Sequence, residues 1–156
     1  VRISSNMHRL MQSAGDDGIL LAVDGTGNYI FPDFQPAVDG MMAAVRLLEY
    51  MAVRQLPLSQ VIKYLPPIYM AKAVVVCAWE TKGRVMRLLH NEYKDLPLEN
   101  VDGLKIHLSE TEWVHLAPNP DKPQFEILVE GANQARADEL VAIYTQQLEK
   151  FIEAIV

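Results

Sequence analysis

The chain is poor in cysteine, in basic charge and in long apolar runs. Cys77 is the only cysteine among 156 residues, which excludes an internal disulfide and a zinc site built from several thiolates. A lone thiol fits a reducing, cytoplasmic compartment. Lysine and arginine number 14 against 20 aspartates and glutamates, a net charge of −6, which disfavours a broad nucleic-acid footprint. The longest apolar stretches, such as residues 73–78, are too short to span a bilayer, and no basic start followed by a long apolar segment marks a signal peptide. Repeats and low-complexity segments are absent. The chain opens Val1-Arg2-Ile3-Ser4-Ser5 without an initiator methionine, which reads either as a piece of a longer polypeptide or as a trimmed terminus.

What is present is core-forming material. Half of the residues are hydrophobic and 22% are charged, enough to build a core and to disfavour disorder. The length suits one domain or two small units. Residues 7–13 read as a short helix ended by Gly15-Asp16-Asp17-Gly18. Ile19-Leu20-Leu21-Ala22-Val23 is a continuous apolar run, expected to be a buried strand. The loop Asp24-Gly25-Thr26-Gly27-Asn28 follows, then a short strand Tyr29-Ile30-Phe31 closed by Pro32. Asp39 reads as the N-cap of a helix running to about Gln55, with Met42, Val45, Leu48 and Met51 on its core face and Pro57 as its stop. Ser59 is expected to open a further short helix, and Pro66-Pro67 marks the best boundary between two units.

The second half reads as a complete small unit. It contains a strand over residues 71–78, then a helix from Glu80 to about Tyr93 with Val85, Met86, Leu88 and Leu89 inward. Leu104, Ile106 and Leu108 alternate with Lys105 and His107, a strand with one wet face. Ser109-Glu110-Thr111-Glu112 turns it into the strand Trp113-Val114-His115-Leu116, and residues 125–129 form another. Asn133 caps a last helix whose stripe is Ala137, Leu140, Val141, Tyr144, Leu148, Phe151, Ile152 and Ile155. Strand, helix, three strands, helix predicts a largely antiparallel sheet with both helices on one face.

Two loops between strands are candidate ligand sites. In the first, glycines permit close backbone approach and Asp24 and Thr26 can bond sugar hydroxyls, although Asp-Gly is also an ordinary turn dipeptide. The second, Ala117-Pro118-Asn119-Pro120-Asp121-Lys122-Pro123, is stiffened by three prolines. It suits a phosphate poorly, with Lys122 as its one cation against Asp121 and the following Glu126, and a rigid connector is the plainer reading. His8, His90, His107 and His115 have no metal-ligand spacing, although His107 and His115 lie on neighbouring expected strands. Cys77 is expected to be a buried inert thiol, Trp79 and Trp113 packing residues, and Met41, Met42 and Met51 core. No catalytic group stands out.

The order of these loops and elements resembles the α-D-phosphohexomutase family of phosphomannomutases and phosphoglucomutases. Val23-Asp24-Gly25-Thr26-Gly27-Asn28 is similar to the family's sugar loop Gly-Glu-x-Ser-Gly-His. The strand Tyr29-Ile30-Phe31 and the helix beginning Asp39-Gly40 follow in the family's order. Pro57-Leu58-Ser59, Lys82-Gly83-Arg84, Asp102-Gly103-Leu104-Lys105-Ile106, Trp113-Val114 and Phe125-Glu126-Ile127-Leu128-Val129-Glu130 resemble segments of the family's C-terminal domain. The resemblance implies an α/β (α+β) architecture: a fragment of an α/β/α mutase domain, then a small mainly antiparallel sheet covered by helices. Residues 1–56 are then the end of the third domain, 57–67 a linker and 68–156 the fourth domain.

The resemblance also implies a role. The family moves a phosphate with a phosphoserine in its first domain and a magnesium ion held by an aspartate-rich loop in its second. Neither loop has a counterpart in this chain, which is therefore expected to hold no cofactor, to have no catalytic residue and to need missing N-terminal domains for the reaction. Its expected partner is a hexose phosphate, without nucleic acid or membrane. Asp24, Thr26 and Asn28 stand at the sugar-binding positions. The family's phosphate loop, Arg-Pro-Ser-x-Thr-Glu-Pro with an arginine on the next strand, becomes Ala117, Pro118, Asn119, Pro120, Asp121, Lys122 and Pro123, then Glu126. Hydrogen bonds to charged groups contribute roughly 1.5–3 kcal/mol each, so loss of two arginines weakens phosphate anchoring by orders of magnitude. An alternative role is a non-catalytic regulatory or assembly module attached to a mannose-1-phosphate guanylyltransferase. Residues 1–56 read as an incomplete domain, with self-association through open sheet edges as the expected consequence.

Overall fold

The computed structural model describes residues 7–155, and they divide into two units between Pro66 and Pro67. In the first unit, helix α1 (Met7–Ala14) lies against an antiparallel sheet of β1 (Ala22–Val23), β2 (Tyr29–Phe31) and β3 (Gln35–Val38), in the order β1-β2-β3. Its buried core is Leu10, Ala14 and Ile30, with Ala22 and Val38 packed against it. Asp39 caps α2 (Gly40–Arg54), accepting from the Met42 amide at 2.8 Å and from Gln35 Nε2 at 2.9 Å. Gln55 takes a left-handed conformation that closes the helix, and its amide donates to the Ala52 carbonyl.

The structure departs from the expectations for this stretch of the chain at four points. The run 19–23 is a two-residue strand, and Leu20, Leu21 and Val23 are exposed. No residue of α2 is buried: Met41 and Leu48 are 81% and 62% exposed, and Met42 and Met51 are only partly covered. A helical period reports which face is apolar, not that anything covers it. Among the described residues α2 packs chiefly on the short β2. The strand β3 went unread because Pro36 interrupts it, and proline is tolerated there because β3 is an edge strand. Residues 57–67 carry a short helix, α3 (Leu58–Val61), and a 3₁₀ turn (Ile62–Tyr64); Pro57 rather than Ser59 precedes the first helical residue.

The second unit is a five-stranded antiparallel sheet in the order β4-β8-β7-β6-β5, built from β4 (Tyr69–Val76), β5 (Leu98–Glu99), β6 (Leu104–His107), β7 (Trp113–Pro118) and β8 (Gln124–Gly131). Helix α5 (Gln134–Glu153) packs on β4 and β8, and α4 (Trp79–Tyr93) packs on β6 and on α5. The core draws Val85 and Leu89 from α4, Leu140, Tyr144 and Leu148 from α5, and the inward residues of four strands. Asn133 caps α5, accepting from the Arg136 amide at 2.9 Å. The sheet meets α5 so closely that a Cβ at Gly131 would stand 2.6 Å from the Ala137 nitrogen. Gly103 is equally constrained, with φ +145° and space for a Cβ only 2.5 Å from the Leu116 carbonyl oxygen.

Here the departures are small. Leu88 lies on the outer side of α4, and β5 is a fourth strand after that helix that the sequence reading missed. Trp79 and Trp113 are not core residues. Trp79 is half exposed beneath the Lys82 ammonium, and Trp113 lies beneath that of Lys105. Cys77 is buried, its sulfur 3.2 Å from Thr81 Oγ1.

Candidate functional site

The loop 24–28 is a closed hydrogen-bonded ring. Asp24 Oδ1 accepts from the Thr26 amide at 2.8 Å, the Thr26 hydroxyl at 2.9 Å and the Asn28 amide at 3.0 Å. Asn28 Nδ2 donates to Asp24 Oδ2 at 2.7 Å and to Thr26 Oγ1 at 2.9 Å. Gly27 supplies the positive φ, 94°, that lets so few residues close the ring. The three sugar-position side chains are therefore brought together, but largely by bonding one another. Asp24 Oδ2 carries one of the four bonds made to that carboxylate and keeps accepting capacity for a ligand hydroxyl.

Burial alone would raise the Asp24 pKa; the bonds from Asn28 and Thr26 together outweigh it and hold the carboxyl down at about 2. A pKa lower in the folded loop than in the open chain means that the ring's stabilisation is present above the ordinary carboxylate pKa of about 3.9 and fades as pH falls toward 2. A carbon-13 titration of the Asp24 carboxyl is expected to give a midpoint well below the ordinary range, with the Thr26 and Asn28 amide signals moving in step. A midpoint near that of an exposed aspartate would refute the ring.

The loop between β7 and β8 is closed as well. The Asn119 amide donates to the Gln124 carbonyl at 3.0 Å, the Gln124 amide to the Lys122 carbonyl at 2.8 Å, and the Asp121 amide to Asn119 Oδ1 at 2.8 Å. Pro118, Pro120 and Pro123 have no amide hydrogen to offer. Asn119 Nδ2 donates to Glu126, and Ala117 stands opposite Glu126 in the ladder. Asp121, Lys122 and Glu126 are exposed.

Sequence reasoning missed the residue that holds this loop. Lys82, on the first turn of α4, is buried, and its ammonium donates to the Asn119 carbonyl at 2.6 Å and to the Lys122 carbonyl. The same nitrogen lies 3.7 Å from the centroid of the Trp79 ring. Two carbonyls and a ring face occupy all three ammonium hydrogens, so this cation is not turned toward an incoming anion. A signal existed: Lys82 shares a helix face with Val85 and Leu89, and a lysine in an apolar stripe needs an internal partner.

His107 and His115 do not pair. His107 bonds Glu99 at 2.7 Å, and His115 Nε2 lies 3.3 Å from the Val101 carbonyl oxygen. Among the described residues no three histidine, cysteine, aspartate or glutamate side chains gather as metal ligands. No described helix is long and apolar enough to cross a membrane.

The chain is similar to known proteins over most of its length. Residues 4–69 match the family model of the phosphoglucomutase/phosphomannomutase alpha/beta/alpha domain III. The chain is 25% identical over 142 residues to a probable phosphoglucosamine mutase of Methanopyrus kandleri, covering 90% of this chain and 31% of that protein. The chain resembles the α-D-phosphohexomutases. Two further members widen the comparison. A probable phosphoglucosamine mutase of Methanothermobacter thermautotrophicus is 27% identical over 78% of this chain and 28% of its own length. A phosphopentomutase of Thermococcus kodakarensis is 26% identical over 80% and 29% respectively. The chain thus spans under a third of the length of the curated proteins it matches. Its mixed helices and antiparallel sheets agree with a mutase-type α/β architecture.

Proposed function

We propose that this chain is the C-terminal portion of a phosphohexomutase-like protein, the end of a third domain followed by a fourth. It contributes recognition of a hexose phosphate in carbohydrate metabolism and is not catalytic by itself. The observation that carries this reading is the loop 117–123, where the Asn119 and Asp121 amides and the buried Lys82 ammonium of α4 are bonded within the fold while Asp121 and Glu126 are exposed. Such a loop offers an incoming phosphate only the exposed Lys122 beside two exposed carboxylates. Recognition then falls to the sugar, through Asp24, Thr26 and Asn28. Magnesium and the phosphoserine belong to other domains of the parent, and a reducing, cytoplasmic setting suits the buried thiol of Cys77.

The same closed loop also favours a second role, a regulatory or assembly module carried by a mannose-1-phosphate guanylyltransferase. The sequence of the parent polypeptide separates the two: a phosphoserine loop and an aspartate-rich loop mark the mutase, a glycine-rich nucleotidyltransferase segment the other.

Calorimetric titration with mannose 1-phosphate, glucose 1-phosphate and inorganic phosphate tests the recognition. Heat is expected with at least one sugar phosphate and none with phosphate, and the Asp24→Ala variant is expected to lose it. Silence for both sugars, or phosphate binding as tightly as a sugar phosphate, overturns the reading.

A further inference from the structure

The strand β4 forms one edge of the five-stranded sheet, and among the described residues it pairs with β8 alone. Its hydrogen-bonding directions follow from one contact. The Cys77 amide donates to the Pro123 carbonyl at 2.9 Å, one step beyond the Val76–Gln124 pair. Directions alternate along an antiparallel strand, so Ala71, Ala73 and Val75 also point toward β8, and Met70, Lys72, Val74 and Val76 point their amides and carbonyls outward. The Met70 end is covered, because Gln134 Nε2 donates to the Met70 carbonyl at 3.2 Å. Lys72, Val74 and Val76 remain as an open row.

Edge strands are ordinarily blunted by brevity, proline, bulges or several charges. β4 has eight residues in unbroken register, no proline and a single lysine. The side chains of Val74 and Val76 stand 57% and 78% exposed on the sheet face away from the helices. The row is also self-complementary. Under a two-fold axis through Val74, that residue faces its own copy and Lys72 faces Val76 of the copy. All three pairs are of the kind that exchanges two hydrogen bonds, about six in total. Exposed valines meet at the centre, the stem of Lys72 lies along Val76, and the two ammoniums fall at opposite ends, so no like charges oppose each other.

We propose that two copies of this chain associate edge to edge through β4, joining their sheets into one antiparallel sheet with Val74 on the axis. This surface lies in the second unit and is independent of the reading of the ligand loops.

Sedimentation velocity of the full chain across a concentration series, with amide hydrogen exchange at its two ends, tests it. A monomer–dimer equilibrium is expected. In the dimer the amides of Lys72, Val74 and Val76 become slow to exchange, whereas those of Ala73 and Val75 are slow at every concentration. Val74→Lys places like charges face to face and is expected to abolish the dimer, with Ala73 and Val75 still protected as proof of folding; Val74→Thr is expected to retain it. A monomer at all concentrations overturns the proposal. So does a dimer that survives Val74→Lys, or one in which the Lys72, Val74 and Val76 amides stay fast.

Discussion

Lys82→Met is expected to destabilise the second unit by about 2–4 kcal/mol, read as a lower urea midpoint with little change in slope. Methionine keeps most of the apolar stem and removes the ammonium. The Asn119 and Lys122 carbonyls then lose a charged donor that reaches them from 37 and 40 residues away. The Trp79 ring loses its cation as well. The damage is expected to be local. Exchange at the Asn119 and Asp121 amides accelerates, while the centre of the β4–β8 ladder keeps its protection. An unchanged midpoint would mean that water satisfies both carbonyls and that the lysine holds nothing.

Phe125→Ala is expected to cost about 3–5 kcal/mol, a large fraction of the 5–15 kcal/mol typical of a domain. Phe125 is fully buried on β8, opposite Val75 of β4 and Pro118 of β7, in the cluster that both helices close. Removing its ring leaves a void that the surrounding strands and helices fill only in part. Glu149→Ala on α5, where the side chain is exposed, is the control and is expected to change stability by about 0.5 kcal/mol or less. Equal effects of the two would mean that the sheet does not bury the face described above.

The second unit was largely legible because its periods are long and agree with one another. Leu104 and Ile106 alternate with wet neighbours and are buried, and the α5 stripe from Ala137 to Leu148 faces the sheet. β5 was not legible, since two residues carry no period. In the first unit the pattern was read correctly as apolar and wrongly as covered, because Leu20, Met41 and Leu48 announce a face without announcing its partner. Both candidate loops could be placed from turn residues and prolines. Their internal bonding could not, because the ring at Asp24 depends on the turn of Gly27, and the hold on residues 119 and 122 comes from a helix far away in the chain.

The clasp at Lys82 grips main-chain oxygens, and every amino acid brings the same oxygen. It is blind to the letters it holds. Position 122 is free to drift through any side chain, and position 119 keeps its share of the clasp whatever replaces asparagine. Form and cargo are thereby inherited partly apart: α4 grips the backbone at residues 119 and 122, and the Lys122 side chain can change without loosening that grip. A loop of this build can lose its ligand and leave no scar in the backbone, so two relatives can superpose here and bind nothing in common.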